Sequence, residues 1–252
     1  MSRYLISYVH FNRTRRRDKV FKENLEYFLN NGLIDKPNYH FNFVINSDEP
    51  GVDIPGGNNI TVLKGDNTGY DFGAWKQSLL QTDIDSFDYY IFINDTCRGP
   101  FIPNYIPTNL NWVTMFCDKL TDTCKLVCPT IFQSSKNKRD WVQSFCFGTD
   151  RVGVNILMSS GVFDVKSLNK RDIIHHNEKH ISNSIISRGY TIKPFQLSYG
   201  IVNKRLDDIH WPNRYYNTTL HPLEVMFIKT NRIMNQTIKN YTKWIKKEPL
   251  KE

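Results

Sequence analysis

The chain has 252 residues, a hydrophobic content of 40% and a formal net charge of +8 at pH 7. A chain of this length buries roughly 70–75% of its unfolded surface in one domain, so its core needs no disulfide or structural metal. No apolar run reaches the roughly 18 residues of a membrane-spanning helix, and no signal-peptide pattern opens the sequence. The 5 cysteines are odd in number and lack CxxC spacing, which disfavours a disulfide framework and a zinc site. We expect one compact cytoplasmic domain.

Strand and helix patterns alternate over the first part of the chain. The predicted strands are 4–9, 41–45, 60–63 and 89–93, and the predicted helices follow Asp18 and cover 74–81. Such alternation is typical of a mostly parallel sheet with helices on its faces, so the sequence predicts an α/β fold. Ligands bind beyond the carboxyl ends of the strands in such sheets. His10, at the end of the first strand, is therefore expected at the ligand crevice.

A polar cluster follows the apolar strand 89–93. Asn94 and Asp95 come directly after it, and Gly99-Pro100 turn chemistry follows. A carboxylate at the carboxyl end of a buried strand is a candidate for holding a metal ion or a polar ligand. The simpler alternative is an Asx turn that only reverses the chain. The sequence leaves both interpretations open.

A second polar loop joins the strand 60–63 to the next helix. It carries Asn67 and Asp71, interleaved with three glycines. Glycine permits positive φ and close backbone approach, and a helix N-terminus attracts anionic groups. The spacing matches neither GxGxxG nor a P-loop, so neither a dinucleotide fingerprint nor a Walker A site is supported. We predict a ligand-binding loop of another type.

The second half of the chain has a more mixed pattern. Residues 141–147 predict a further strand, and Asp150 is placed to cap the helix after it. A helix that begins near Asn177 would hold Glu178 in its first turn, where the dipole favours a carboxylate. The segment around Trp211 is rich in loops, and its aromatic side chains either cover a bound sugar or pack against the domain.

The last part of the sequence is basic. Residues 233–245 predict an amphipathic helix with lysines on one face. We therefore divide the chain into a domain of residues 1–230 and a C-terminal helix in residues 231–252, which either packs on the domain or rests on an anionic membrane surface. Positive charge suits anionic partners such as nucleoside diphosphates, lipid headgroups or nucleic acid, although a basic face also serves solubility alone.

Several motifs, in one order along the chain, resemble a known family. Asn-x-Gly-x-Asp-x-Gly-Ala begins at Asn67, and a strand ends in Asn-Asp-x-x-x-Gly-Pro-Phe with its carboxylate at Asp95. The further matching segments are 141–150, 178–190 and 221–229. The set is similar to small GT-A glycosyltransferases related to rhamnan-synthesis and viral rhamnosyltransferase domains. It implies a GT-A-like (Rossmann-like) single domain with a central, mostly parallel mixed sheet flanked by helices, and transfer of rhamnose or another hexose from a UDP-, GDP- or dTDP-sugar.

Glycosyl transfer needs a nucleoside pocket, neutralisation of the leaving diphosphate and a positioned acceptor hydroxyl. The resemblance implies that Asp71 holds the nucleoside, and His10 and Asn67 belong to the same predicted edge. A divalent cation, Mn²⁺ or Mg²⁺, at Asp95 would stabilise the charge that develops on the leaving group. The acceptor is expected to be a glycan or a lipid-linked sugar.

The sequence departs from the usual GT-A pattern at the metal position. The common Asp-x-Asp is replaced by Asn94-Asp95-Thr96, with one carboxylate, so metal binding would either be weak or depend on His210 or His221. Arg98 is a further candidate for the phosphates, because an arginine binds phosphate oxygens bidentately.

On the acceptor side, the resemblance to inverting GT-A enzymes implies a general base at Glu178, with Asp150 as the second choice. In a retaining enzyme either carboxylate would stabilise an oxocarbenium-like centre, and the sequence leaves both outcomes open. Two other classes of function compete with transfer. One is a catalytically silent glycosyltransferase fold used for interaction. The other is a basic nucleic-acid-binding protein, which is disfavoured because the sequence has no RNP, zinc-finger or helix-turn-helix pattern.

Overall fold

The computed structural model describes residues 1–12, 19–134, 140–165, 169–201, 205–232 and 235–245. Its strands are β1 (Tyr4–His10), β2 (Tyr39–Ile45), β3 (Ile60–Lys64), β4 (Tyr89–Asn94), β5 (Cys97–Arg98), β6 (Cys124–Cys128), β7 (Ile131–Gln133), β8 (Asp140–Val142), β9 (Cys146–Asp150), β10 (Thr191–Pro194) and β11 (Ile228–Lys229). Its α-helices are α1 (Lys19–Asn31), α2 (Tyr70–Leu80), α3 (Trp112–Cys117), α4 (Arg151–Ser159), α5 (Lys170–Ile173), α6 (Lys179–Ile186), α7 (Pro222–Val225) and α8 (Gln236–Trp244). A 3₁₀ turn covers Ile84–Ser86, and a π turn covers Ile174–Glu178.

The centre of the described structure is a 7-stranded sheet in the order β10-β6-β9-β4-β1-β2-β3. Its neighbours run parallel, except that β9 is antiparallel to both β4 and β6. The prediction of an α/β fold with a mostly parallel, mixed central sheet is confirmed. The chain builds outward from β1 to β3 and then crosses back to place β4 on the other side of β1. Beyond the carboxyl ends of β1 and β4 lies the switch point where open sheets of this kind bind ligands.

Both faces of the sheet are buried, which explains why the parallel strands read as continuous apolar runs. Helices α2, α4 and α6 cover one face, and α1 and α3 cover the other. Trp75 of α2 is fully buried, with its ring centroid 5.7 Å from that of Phe92 and 5.5 Å from that of Phe147. Helix α2 is thereby fixed on β4 and β9, and this contact sets the position of the loop that precedes the helix.

Two predicted elements have different bounds in the structure. Helix α2 begins at Tyr70, four residues before the expected start, because Gly69 adopts a φ of 75° and turns the chain into the helix. The expected strand at 141–147 is two strands, since β8 pairs with β7 while β9 pairs with β4. The residues between β8 and β9 leave both ladders and turn toward the ligand edge. Asp18, the expected cap of α1, lies outside the described residues.

The helix around Glu178 also differs from the expectation. Helix α5, the π turn and α6 follow one another without a break, so Glu178 lies inside a helical segment that begins at Lys170. The helix dipole of a first turn therefore does not explain its environment. Single π turns within helices occur frequently at functional sites, because they shift the side chains that follow.

The C-terminal helix packs on the domain. Ile238 of α8 is buried in a cluster with Phe101 and Leu220, and Tyr241 borders the same cluster. The 5 cysteines of the chain are all buried and free, as expected of reduced thiols. None of the described helices is long and apolar enough to cross a bilayer.

Candidate active site

A histidine and a carboxylate meet at the switch point. His10 ends β1 and Asp95 follows β4, and they are 1% and 2% exposed. His10 Nδ1 lies 3.0 Å from Asp95 Oδ2, and His10 Nε2 lies 3.0 Å from the Pro50 carbonyl oxygen. The Phe11 amide donates to the same carboxylate oxygen at 3.0 Å. The Asp95 carboxylate is thus held in one orientation between the ends of two adjacent strands.

Asn94 and Asp71 form a second pair beside the first. Asn94 Nδ2 donates to Asp71 Oδ2 at 2.7 Å, which joins β4 to the first turn of α2. Asn94 Oδ1 accepts from the amide and the hydroxyl of Thr96, at 3.0 and 2.6 Å. The hydrogen bond from the Thr96 amide is the Asx turn that is the simpler of the two sequence interpretations. The Asn94 side chain forms this turn and also orients Asp71.

The loop before α2 is shaped by close backbone contacts. Asn67 has a φ of 61°, in the left-handed region, and its Oδ1 accepts from Asn46 Nδ2 at 3.4 Å. A Cβ on Gly73 would stand 1.8 Å from the carbonyl oxygen of Thr68, so only glycine fits there. Asp71 lies two residues before Gly73, in the first turn of α2, where the helix dipole favours a carboxylate. The structure brings Asn67, Asp71, Asn94, Asp95 and His10 to one edge of the sheet.

Arg98 is engaged within the fold. Its side chain is buried, and its guanidinium donates to Asn24 Oδ1 at 2.8 Å, Thr242 Oγ1 at 3.1 Å and Glu23 Oε2 at 3.2 Å. Burial lowers its pKa, and Glu23 opposes that shift. Because each guanidinium nitrogen has a partner, the predicted phosphate contact does not fit this placement. Asn24 donates to the carbonyl oxygen of Asp95 at 2.8 Å, so Arg98 positions the Asp95 backbone through Asn24.

Glu178 reaches the same edge of the sheet. Its Oε1 accepts from the amide of Ser144 at 2.8 Å and from the hydroxyl of Ser144 at 3.0 Å. The next residue, Phe145, accepts from the amide of Asn94 at 3.0 Å through its carbonyl oxygen. Glu178 is thereby tied, through two residues, to the end of β4. Sequence reasoning missed Ser144, which lies in the interval that was predicted to be strand.

Asp150 lies at the opposite edge. In the antiparallel pairing of β9 with β4, Asp150 stands opposite Tyr89, while Cys146 stands opposite Ile93 near the ligand edge. Asp150 caps α4 by accepting from the Gly153 amide at 2.9 Å, as expected, and its other oxygen lies 2.6 Å from Lys125 Nζ. The second choice of base is therefore a structural residue, because β9 starts, rather than ends, at the ligand edge.

The two histidines that were predicted to assist a metal have other partners. His210 is 3% exposed, with Nε2 3.0 Å from Thr130 Oγ1 and with Nδ1 accepting from the Lys229 amide at 3.4 Å. Burial, with a further contribution from Lys229, lowers the pKa of His210 to about 3, so the ring is neutral. His221 caps α7 through its Nδ1, and its ring packs edge-on against Tyr241.

The donor set near Asp95 does not amount to a metal centre. No three His, Cys, Asp or Glu side chains are grouped for a metal ion among the described residues. Asp95 Oδ2 already faces the Phe11 amide and His10, and Asn94 Oδ1 accepts from Thr96. A Mg²⁺ ion needs near-ideal octahedral geometry and oxygen ligands. The predicted metal remains a prediction.

The fold has a likeness among solved structures. No family model matches the chain, and no curated protein matches its sequence. Among solved structures, the fold is similar to a glycosyltransferase involved in the glycosylation of the major capsid of PBCV-1, with a TM-score of 0.45 and 12% identity. The alignment covers 95% of this chain and 99% of that chain. At that score and identity the likeness carries no functional inference.

Proposed function

We propose that this protein is a glycosyltransferase of the GT-A type that moves a sugar from a nucleoside diphosphate sugar to a glycan or lipid-linked acceptor. The observation that supports it best is the meeting of the His10–Asp95 and Asn94–Asp71 pairs with Glu178 at the switch point of the sheet. A nucleotide needs hydrogen-bonding partners and a sugar needs a positioned base, and this edge offers both. Rhamnose or another hexose is the proposed sugar.

Asp71 and Asn67 are the proposed contacts of the nucleoside. The carboxylate of Asp71 is oriented by Asn94, and Asn67 and Gly69 hold the left-handed backbone conformations that bring the loop to this edge. Asp95, fixed by His10 and Phe11, is proposed to orient the donor sugar or its diphosphate. Each role depends on side chains that the fold already holds in place, which reduces the entropy lost on binding.

Glu178 is the proposed base. Both hydrogen bonds from Ser144 go to Oε1, and no described residue donates to Oε2. In inverting transfer, the acceptor oxygen attacks the anomeric carbon, its proton passes to Glu178, and the bond to the diphosphate breaks with its electron pair on the leaving oxygen. In retaining transfer, Glu178 stabilises an oxocarbenium-like centre instead. The anomeric configuration of the product distinguishes the two.

A cavity beside the site is the proposed acceptor groove. Its volume is about 910 Å³, and Asp208, Trp211 and Tyr216 are among its lining residues. Trp211 is 41% exposed, with the Arg232 guanidinium 5.8 Å from its ring centroid. Exposed aromatic faces and carboxylates suit the apolar faces and hydroxyls of a sugar. The Asp208 carboxylate accepts from the His210 amide at 3.3 Å, and the His210 ring lies 5.2 Å from that of Phe145, the residue after Ser144.

Calorimetric titration with UDP, GDP and dTDP tests the proposal. Each nucleotide is titrated with and without Mn²⁺ at two salt concentrations, and the matching sugar nucleotide is then assayed for transfer or hydrolysis. We expect one nucleotide to bind saturably, and Asp95→Ala to lose turnover. Enhanced binding with Mn²⁺ would support the predicted metal. Binding to DNA or RNA with steep salt dependence, and to no nucleotide, would overturn the assignment. Nucleotide binding with no turnover of any of the three donor classes would favour the silent, interaction-only alternative.

A further inference from the structure

Lys229 is anchored next to the segment that follows Asp95. It lies in β11, which pairs antiparallel with β5 so that Lys229 stands opposite Cys97. The next residue, Thr230, donates from its amide to the Thr96 carbonyl oxygen at 2.9 Å. The backbone of Lys229 is therefore fixed within two residues of the Asp95 turn, although the two segments are far apart in the sequence.

The side chain of Lys229 extends toward the candidate active site. Its Nζ lies 5.4 Å from the ring centroid of Phe145, the residue whose carbonyl oxygen accepts from the Asn94 amide. Glu178 is the strongest of the charges that favour its ammonium form, ahead of Asp208. The ammonium group therefore lies over the ring of the residue whose backbone is hydrogen-bonded to the end of β4.

This ammonium has no close counter-ion. Within the described part of the chain, no carboxylate oxygen lies within 4.0 Å of Lys229 Nζ. Lys125, a buried lysine of β6, has a close counter-ion, with its Nζ 2.6 Å from Asp150. Lys229 is partly exposed, and burial of the rest of the side chain lowers its pKa, with Arg232 adding to that shift. An ammonium that is partly shielded from water and has no paired anion can take up a bound anion, which would recover Coulombic free energy there.

We propose that Lys229 binds the diphosphate of the donor and neutralises the charge that develops on it as the sugar leaves. The inference rests on the proposed function and specifies it. Charge stabilisation on the leaving group would then come from the protein's own ammonium group, in a crevice where the Asn94-Asp95-Thr96 segment carries one carboxylate, Asp95. A partly buried ammonium acts more strongly on a developing negative charge than one in bulk water, because the local dielectric constant is lower.

The experiment compares Lys229→Met with Lys119→Met in calorimetric titrations. Lys119 is the matched control, because its Nζ lies 4.7 Å from the centroid of Phe195, also over a phenyl ring, but Phe195 follows β10, the outermost strand on that side of the sheet and three strands away from β4. The probes are inorganic pyrophosphate, the nucleoside diphosphate that binds the unaltered protein, and the corresponding unphosphorylated nucleoside. We expect Lys229→Met to weaken binding of the two diphosphates by about 10- to 100-fold, the usual effect of losing a hydrogen bond to a charged group.

Affinity for the unphosphorylated nucleoside should not change in Lys229→Met, and Lys119→Met should bind every probe as the unaltered protein does. Lys229→Arg should restore part of the loss, since it keeps the charge. Unchanged diphosphate affinity in a folded Lys229→Met would refute the inference and leave the proposed function standing. Loss of pyrophosphate binding in Lys229→Met, in a protein that binds no nucleotide, would support an anion site and remove the proposed function. Binding of neither probe by the unaltered protein would remove both.

A second measurement needs no variant. Trace acetylation of the unaltered protein with acetic anhydride, followed by mass spectrometry of its peptides, reports the reactivity of each lysine. Pyrophosphate should protect Lys229 and leave Lys119 unprotected. Equal acetylation of Lys229 with and without saturating pyrophosphate would contradict the inference, even if Lys229→Met does not fold.

Discussion

Acidification from pH 7 to pH 5 should destabilise the protein through His210 in particular. The ring is 3% exposed and is held between Thr130 and the backbone of Lys229. Burial, reinforced by Lys229, lowers its pKa from 6.5 to about 3. In the unfolded chain the same ring takes up a proton near its ordinary pKa, while in the folded chain it remains neutral until far lower pH. The stability that depends on the neutral ring is complete above pH 6.5 and is lost progressively as the pH falls toward 3.

The size of the effect follows from the two pKa values. At pH 5 the unfolded ring is almost fully protonated. Protonation shifts the folding equilibrium toward the unfolded chain by a factor of about 30, which lowers the free energy of unfolding by about 2 kcal/mol. Near pH 7 the same contribution is a few tenths of a kcal/mol at most. A domain stabilised by about 5–15 kcal/mol would show a loss of this size clearly.

Urea unfolding at pH 7 and pH 5 measures this loss in the free energy of unfolding. The unaltered protein is compared with His210→Gln, which removes the titrating group, and with His176→Gln, whose ring is exposed. Other groups titrate equally in all three proteins, so their contributions cancel in the differences. We expect the unaltered protein and His176→Gln to lose about 2 kcal/mol more than His210→Gln between the two pH values.

Equal pH dependence in His210→Gln and the unaltered protein would refute the reasoning, because it would mean that the folded ring takes up a proton as readily as the unfolded one. If His210→Gln does not fold, the NMR shift of the His210 ring Cε1–H in the unaltered protein decides. That shift should stay constant from pH 7 to pH 5, and a titration midpoint near 6.5 would contradict the prediction.

Three further predictions concern single side chains. Glu178→Gln should retain nucleotide affinity by calorimetry and lose at least about 10²-fold in the rate of sugar transfer, and an unchanged rate would exclude Glu178 as the base. Arg98→Met removes a buried guanidinium that links β5 to α1 and α8, and should lower the free energy of unfolding by about 2–3 kcal/mol in urea titrations. Lys125→Met should lower the free energy of unfolding by a similar amount, about 2 kcal/mol, because it leaves the Asp150 carboxylate without its lysine partner. The double variant with Asp150→Asn should recover part of that loss, and a fully additive result would contradict the pairing.

The part of the site built by the parallel strands was predictable from the sequence. A strand buried on both faces appears as an unbroken apolar run, and the polar residues that end it mark the carboxyl edge of the sheet. His10 and Asp95 were placed at that edge by this argument, and the structure puts them 3.0 Å apart. Asn67 and Asp71 were placed with them because a glycine-rich loop joins a strand end to a helix start.

The part built by later segments was not predictable in this way. Ser144 was assigned to a strand, because the apolar residues on both sides of it hide the turn between β8 and β9. Lys229 reaches the site through the pairing of β11 with β5, which joins segments more than a hundred residues apart. The sequence around Lys229 gives one indication of this role, a lysine at the end of an apolar run. His210 attracted a metal assignment because a sequence shows the type of a side chain and not its hydrogen-bond partners.

The reversed direction of β9 has a consequence for how such a protein can diversify. A parallel strand reaches the ligand edge with its last residues, so its loop must carry the chain back across the whole sheet. Strand β9 enters from that edge, and β8 precedes it with no helix between them. Insertions between β8 and β9 would leave the pairing of β1 with β4 as it is, because that half of the sheet is completed earlier in the chain. In a glycosyltransferase of the proposed kind, the segment before β9 serves the acceptor side with Ser144 and Glu178, while the donor contacts come from the half built from β1 to β4, so each side could change without loss of the other.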